Sequence, residues 1–170
     1  ITKETQDSFY AIFELCEELK VDKLYISHLV YSGRGKDNLE IDISKEQRRK
    51  YVEFIIDKAF EYYKNGNNID LVTGNMEMDA IMLLDRFKKE YPDFVETLEQ
   101  KLKAWGGNSA GYRLGNMDWA GNVKPDPFFP FVVGNYLETP FDEIWTSSSN
   151  DILNKLREHP RQIKGRCEEC

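Results

Sequence analysis

The chain has 170 residues, 41% apolar, 31% charged and 13% aromatic, enough to bury one ordinary core or two small ones. Its net charge is -7, from 23 basic and 30 acidic residues, which argues against a nucleic-acid partner. No apolar run approaches the ~20 residues that span a bilayer, and no secretory segment is visible, so no membrane partner is expected and the cytoplasm is the expected compartment.

Residues Thr5 to Lys20 predict a helix, because Phe9, Ile12, Phe13, Cys16 and Leu19 recur on one face. Cys16 reads there as a small buried apolar residue. Leu24 to Tyr31 is rich in β-branched and aromatic residues and predicts a strand. It runs into a turn or loop, Ser32-Gly33-Arg34-Gly35-Lys36. Ser44 with Gln47 makes a capping box that starts a helix reaching about Lys64, with Tyr51, Val52, Ile55, Ile56 and Ala59 inward. Asn65 to Asn68 stops it, and Ile69 to Thr73 predicts a second strand ending at Gly74-Asn75. This rhythm is that of an α/β unit with parallel strands. Ligands gather at the carboxyl ends of such strands, which singles out residues 31–36 and 74–79 as site-lining loops.

Met78 to Tyr91 predicts a helix, and Pro92 fits the first turn of another that carries Phe94, Leu98 and Leu102 on one face. From Gly106 to Pro140 the chain turns dense in Gly, Asn, Pro and aromatics. Residues 114–118 and 122–124 predict a hairpin joined by Trp119-Ala120-Gly121. Phe141 to Trp145 predicts a short helical turn, and Ser149 or Asn150 caps a last helix that ends before Pro160. The simplest division places one domain at residues 1–104 and a second at 105–170.

The final Cys167-Glu168-Glu169-Cys170 spaces two thiolates for one metal or one iron–sulfur cluster, sites that normally take four ligands. Half a site at the end, with no Met at Ile1, predicts an internal piece of a longer metalloprotein. Three cysteines do not make a secreted disulfide framework. The pair follows a helix and a basic tail rather than opening a helix after a strand, which disfavours a thioredoxin-type redox role. Zinc and iron–sulfur ligation both remain open on spacing alone. In the loop after the first strand, Arg34 and Lys36 can hold carboxylates, while Gly33 and Gly35 let the backbone turn tightly. The competing reading is a solvated basic turn, and a core histidine competes with a site role for His28. Asp126, between Pro125 and Pro127, offers an oxygen ligand or an ordinary turn carboxylate.

The order Gly106-Gly107-Asn108, Gly115-Asn116-Met117-Asp118, Gly121-Asn122-Val123-Lys124-Pro125-Asp126, Gly134-Asn135, Pro140-Phe141-Asp142-Glu143-Ile144-Trp145 and Cys167-Glu168-Glu169-Cys170 resembles the C-terminal SPASM/twitch region of radical SAM enzymes. The upstream His28-Leu29-Val30-Tyr31-Ser32-Gly33-Arg34-Gly35 is similar to the last barrel strand and loop in the enzymes of haem d1 and alternative haem biosynthesis. The resemblance implies the C-terminal part of a partial (β/α)6 radical SAM barrel followed by a small, truncated α+β SPASM/twitch-like domain. It implies an enzyme that removes or modifies carboxylate side chains of a modified tetrapyrrole, with S-adenosylmethionine, a radical-generating [4Fe-4S] cluster and an electron-donor protein. The radical-generating Cys-x3-Cys-x2-Cys is absent from these residues, so this piece alone is expected to be inactive.

On the same resemblance, Arg34, Lys36 and Arg113 would pair with substrate carboxylates, and His28 and Tyr31 would line the barrel mouth. Cys167 and Cys170 would hold part of an auxiliary [4Fe-4S] cluster, with Asp126 a fourth ligand. Asn108 and Asp126 stand where the general SPASM pattern has cysteines, so at most one auxiliary cluster is expected. Two rival readings are a peptide-modifying SPASM enzyme and a non-catalytic zinc-stabilised interaction domain.

Overall fold

The computed structural model describes residues 1–74 and 78–168, apart from the side chain of Cys167. It divides into two compact units, Ile1–Leu102 and Lys103–Cys170. Both mix helix and strand, as the α/β reading expects.

The first unit opens with a 3-10 turn, Gln6–Ser8, before helix α1 (Ala11–Leu19). The expected helix from Thr5 is therefore shortened. Hydroxyls of this segment take backbone partners instead: the Thr2 amide donates to Thr5 Oγ1 at 3.0 Å, and Ser8 Oγ donates to the Thr5 carbonyl at 3.0 Å. Such local bonds compete with helix formation. Phe9, Phe13 and Cys16 are buried, but Ile12 and Leu19 on the predicted face are exposed.

Strand β1 (Lys23–Ser27) pairs in parallel with β2 (Asp70–Gly74), from Lys23 opposite Asp70 to Ser27 opposite Gly74. The expected strand reached Tyr31. It ends at Ser27, opposite Gly74, and one further ladder bond runs from the His28 amide to the Gly74 carbonyl at 3.2 Å. Between the strands lies α2 (Lys45–Asn65), started by the expected capping box: Ser44 Oγ accepts from the Gln47 amide, and Gln47 Oε1 accepts from the Ser44 amide. Gly66, at φ 70, closes it in the left-handed conformation.

One face of the sheet packs Leu24, Ile26 and Leu71 onto Phe9, Phe13, Ile43, Tyr51 and Ile55. The opposite face carries Tyr25, 59% exposed. Two details of α2 differ from expectation. Ala59 is exposed, while Tyr62 is buried against Cys16 and Ile69. Tyr62 bridges to α1 through its hydroxyl, which donates to Glu17 Oε1 at 2.7 Å. Burial and that acidic partner push the Tyr62 phenol well above its ordinary value.

Helix α3 (Met78–Glu90) lies parallel to α2, because partners advance together along both. Arg86 pairs with Asp57 at 2.9 Å, and one turn on Tyr91 stacks on Phe60 at 5.2 Å. A 3-10 turn at Pro92–Phe94 leads into α4 (Val95–Trp105). Its predicted apolar face is not buried, and Phe94 is 59% exposed.

In the second unit, β3 (Asn116–Met117) and β4 (Asn122–Lys124) form the expected antiparallel hairpin. Gly121 turns it at φ 80, and Asp118 Oδ1 accepts from the amides of Ala120 and Asn122. A third short strand, β5 (Gly134–Asn135), pairs with β4. Val123 at its centre is fully buried. Helix α5 (Phe141–Thr146) sits so close to β5 that a Cβ on Gly134 would come within 2.7 Å of Ile144. Asn150, not Ser149, caps α6 (Asp151–Arg157): its Oδ1 accepts from the Leu153 amide at 3.1 Å, and its Nδ2 donates to the Val133 carbonyl. Leu153 is completely buried. Among the described residues, no helix is long and apolar enough to cross a membrane.

Candidate functional site

The carboxyl ends of β1 and β2 define the edge of the first unit where ligands would gather. His28, Tyr31, Arg34 and Lys36 all follow β1, and the structure gives them different environments. His28 is 4% exposed, and its Nε2 lies 2.9 Å from Asp79 Oδ2, itself buried in the first turn of α3. An ionised carboxylate only accepts, so Nε2 carries the hydrogen and donates. Nδ1 is buried without a partner among the described residues. Side chains alternate along a strand, so His28 shares the face of Leu24 and Ile26. His28 continues that alternation one residue past the end of β1, and it is buried where Tyr25 is exposed. Tyr25 lies on the opposite face, its hydroxyl so near Gly74 that a Cβ there would stand 1.9 Å away.

Tyr31 is bound into a network. Its hydroxyl donates to Asp42 Oδ2, which also accepts from Arg48 Nη2 at 2.5 Å, while Asp42 Oδ1 accepts from the Ile43 amide at 2.9 Å. Tyr31 and Asp42 lie at the two ends of the loop, so the bond closes it and Arg48 fastens it to α2. Burial raises the Asp42 carboxyl, but hydrogen bonds from Tyr31 and Arg48 outweigh it and hold the carboxyl below its ordinary value.

Within the brace, residues Gly33–Ile41 form 3-10 turns kinked at Asn38, which cover and extend beyond the turn or loop expected at residues 32–36. Gly33 has φ 53, and a Cβ on Gly35 would fall 2.0 Å from the Val30 carbonyl oxygen. Only glycine allows that approach. Arg34 and Lys36 are exposed on these turns, and among the described residues neither pairs with an acid. The arrangement can present two cations to an anionic group from a rigid base. A groove of about 790 Å³ also runs between α2 and α3, with Lys45, Arg48 and Arg49 near Asp79. Arg86 and Lys89 also line it, as do the acids Glu53, Asp85 and Glu90, so the groove carries charges of both signs.

In the second unit, Arg113 is exposed, its guanidinium 5.2 Å from the ring of Tyr112. Asp126 is 6% exposed, and its Oδ1 accepts from the amides of Phe128 at 2.6 Å and Phe129 at 2.9 Å. Asn108 makes the same kind of turn, accepting from the Ala110 amide at 2.7 Å. Both residues thus hold local turns. The Cys167 backbone closes a 3-10 turn from Gly165, while its side chain and all of Cys170 lie outside the described residues. Among the described residues, no group of three or more His, Cys, Asp or Glu is placed to hold a metal ion. The donor set fits a cluster in part: two thiolates of the right chemistry, and one carboxylate with an oxygen already engaged.

Sequence reasoning missed Asp42 and Arg48, and it placed Asp79 at the end of the candidate loop 74–79 without giving it a partner. Each is an ordinary charged residue near a helix start. The only signal was position, and only the fold brings Asp79 to His28 across 51 positions.

Over its whole length the chain is similar to curated proteins of one biosynthetic group. It is 38% identical over 173 residues to pre-heme d1 synthase of Dinoroseobacter shibae, covering all of this chain and 43% of that protein. It is 32% identical over 171 residues to Fe-coproporphyrin III synthase of Methanosarcina barkeri, again covering 43% of it. It is 26% identical over 176 residues to AdoMet-dependent heme synthase of the same organism, covering 46% of it. The chain therefore spans less than half the length of these relatives. No protein-family model and no solved structure matches it.

Proposed function

We propose that this chain, a homologue along its full length of the haem d1 and alternative haem synthases, is the C-terminal portion of a radical SAM enzyme that modifies carboxylate side chains of a tetrapyrrole. The observation that carries this reading is the 38% identity, over every part of the chain, to a pre-heme d1 synthase. The parallel β1–β2 pair with its helices is then the end of a partial (β/α)6 barrel, and the second unit is a SPASM/twitch-like domain.

S-adenosylmethionine and its reducing cluster would supply the radical chemistry from parts of the enzyme outside these residues. This chain's own share is to bind and orient. Arg34 and Lys36 stand ready for substrate carboxylates, Arg34 with two parallel hydrogen bonds. The Tyr31–Asp42–Arg48 brace keeps their turns in one place, so that little ordering remains when the ligand binds. Arg113 stays a proposed substrate-carboxylate contact of the second unit. Cys167 and Cys170 are proposed ligands of an auxiliary [4Fe-4S] cluster completed by residues beyond this chain. Asp126 remains a candidate fourth ligand only through Oδ2, since Oδ1 holds two backbone amides.

The test is made on the full-length enzyme. Replacing Arg34 and Lys36 together by Ala should weaken Fe-coproporphyrin III binding by roughly 10- to 100-fold, the loss of about two charge-assisted contacts. Unchanged affinity would refute the carboxylate role. Anaerobic metal analysis separates the zinc-domain reading, which predicts zinc without iron or sulfide.

A further inference from the structure

We infer that the buried His28–Asp79 pair is a positioning device: it locks the first turn of α3 to the carboxyl end of β1, without either residue touching ligand. The inference rests on the reading of that edge as ligand-bearing.

Three observations converge. The pair is closed off from solvent, with side-chain exposures of 2% and 8%, and its bond is a well-formed 2.9 Å. His28 also holds β2, because its amide donates to the Gly74 carbonyl at 3.2 Å. One residue thus fastens the last residue of β2 by its backbone and the first turn of α3 by its ring. Finally, His28 keeps the alternation of Leu24 and Ile26 one residue past β1 and is buried as Ile26 is, whereas Tyr25 on the other parity is 59% exposed.

The chemistry suits this role. Asp79 lies in the first turn of α3, and the imidazole supplies a hydrogen-bond donor to this buried acid. Among the described residues the second ring nitrogen has no partner, so the bond seen here uses Nε2. A glutamine can reproduce that donor while lacking Nδ1; a leucine can fill the volume but reproduces neither.

The experiment uses the full-length protein with His28→Leu, His28→Gln, Asp79→Ser and Asp79→Asn. Hydrogen exchange of the amides of Ile81, Met82, Leu83 and Leu84 reports the lock directly and requires no ligand. Exchange should accelerate by about tenfold or more in His28→Leu and Asp79→Ser. His28→Gln and Asp79→Asn should stay within about twofold of the parent. Fe-coproporphyrin III affinity should follow the same order, falling by roughly tenfold in the first two variants through misplacement of the edge.

Should His28→Leu fail to fold, Asp79→Ser, which leaves room for water, carries the comparison. Unchanged exchange in Asp79→Ser overturns the lock. Affinity lost in His28→Gln while exchange is preserved overturns the positioning role, because Nδ1 would then touch ligand. If the parent enzyme binds no porphyrin, the proposed function falls, and the exchange comparison still upholds or overturns the lock.

Discussion

Replacing Asp42 by Ala should unfold the first unit at a markedly lower temperature. The carboxylate takes two charged or hydroxyl donors on Oδ2, Arg48 at 2.5 Å and Tyr31, and a backbone amide on Oδ1. The side chains are 9% exposed for Asp42 and 16% for Arg48, and Arg48 Nε is buried without a partner among the described residues. Removing the acid strands a mostly buried guanidinium. Breaking such a pair costs about 3–5 kcal/mol in a full interior; the residual exposure of Arg48 sets the expectation at the lower end, about 3 kcal/mol. For a unit of this size each kcal/mol moves the midpoint by about 4–8 °C, so the fall should be roughly 12–24 °C. Circular dichroism melting of the chain measures it. The double variant Asp42→Ala with Arg48→Met should recover most of the loss, because the unpaired charge is gone. A loss below about 1 kcal/mol, or a double variant worse than the single, would refute a buried pair as the source.

The same carboxyl predicts a pH dependence. Its folded value is depressed below 3.8, so its stabilisation is complete above the unfolded value and lost as pH falls through the folded one. The stability gap between the parent and Asp42→Asn should therefore be constant near neutrality and close below about pH 4, as urea midpoints at several pH values would record. Gly35→Ala would place a Cβ 2.0 Å from the Val30 carbonyl, so the turns carrying Arg34 and Lys36 must open. Proteolysis within residues 32–41 should quicken severalfold, and an unaltered cleavage pattern would show that the loop tolerates the methyl. Leu153→Ala, at a completely buried position in the second unit, should cost about 2–5 kcal/mol and loosen α6. Amide exchange in residues 151–157 that matches the parent would contradict that.

Much of the local structure was legible because it depends on neighbours in sequence. The Ser44–Gln47 capping box, the Trp119–Gly121 hairpin turn and the burial of Cys16 each follow from a few adjacent residues or one helical period. Element ends were less legible. α1 starts late because hydroxyls near Thr5 capture backbone groups, and the pairing of β1 from Lys23 to Ser27 is a register shared with β2, which the β1 residues themselves cannot reveal. Ala59 is exposed although the period put it inward, and Tyr62 is buried on Cys16 and Ile69, because helical period gives a face but not which neighbours cover it.

By itself the sequence determined the α/β rhythm, the kinship with the haem d1 and alternative haem synthases, and the glycine-bearing loop with its two cations. Those are properties of spacing and residue type. Only the tertiary structure decided which side chains are free to act. Parallel pairing with an intervening helix brings Asp79 to His28 in a buried pair. Closure of the loop brings Asp42 to Tyr31 and Arg48, while Arg34 and Lys36 remain exposed. The physical reason is the same in both cases. A hydrogen bond or ion pair needs two groups within about 3 Å, and for partners distant in the chain that proximity is created by the register of the sheet and the packing of helices on it.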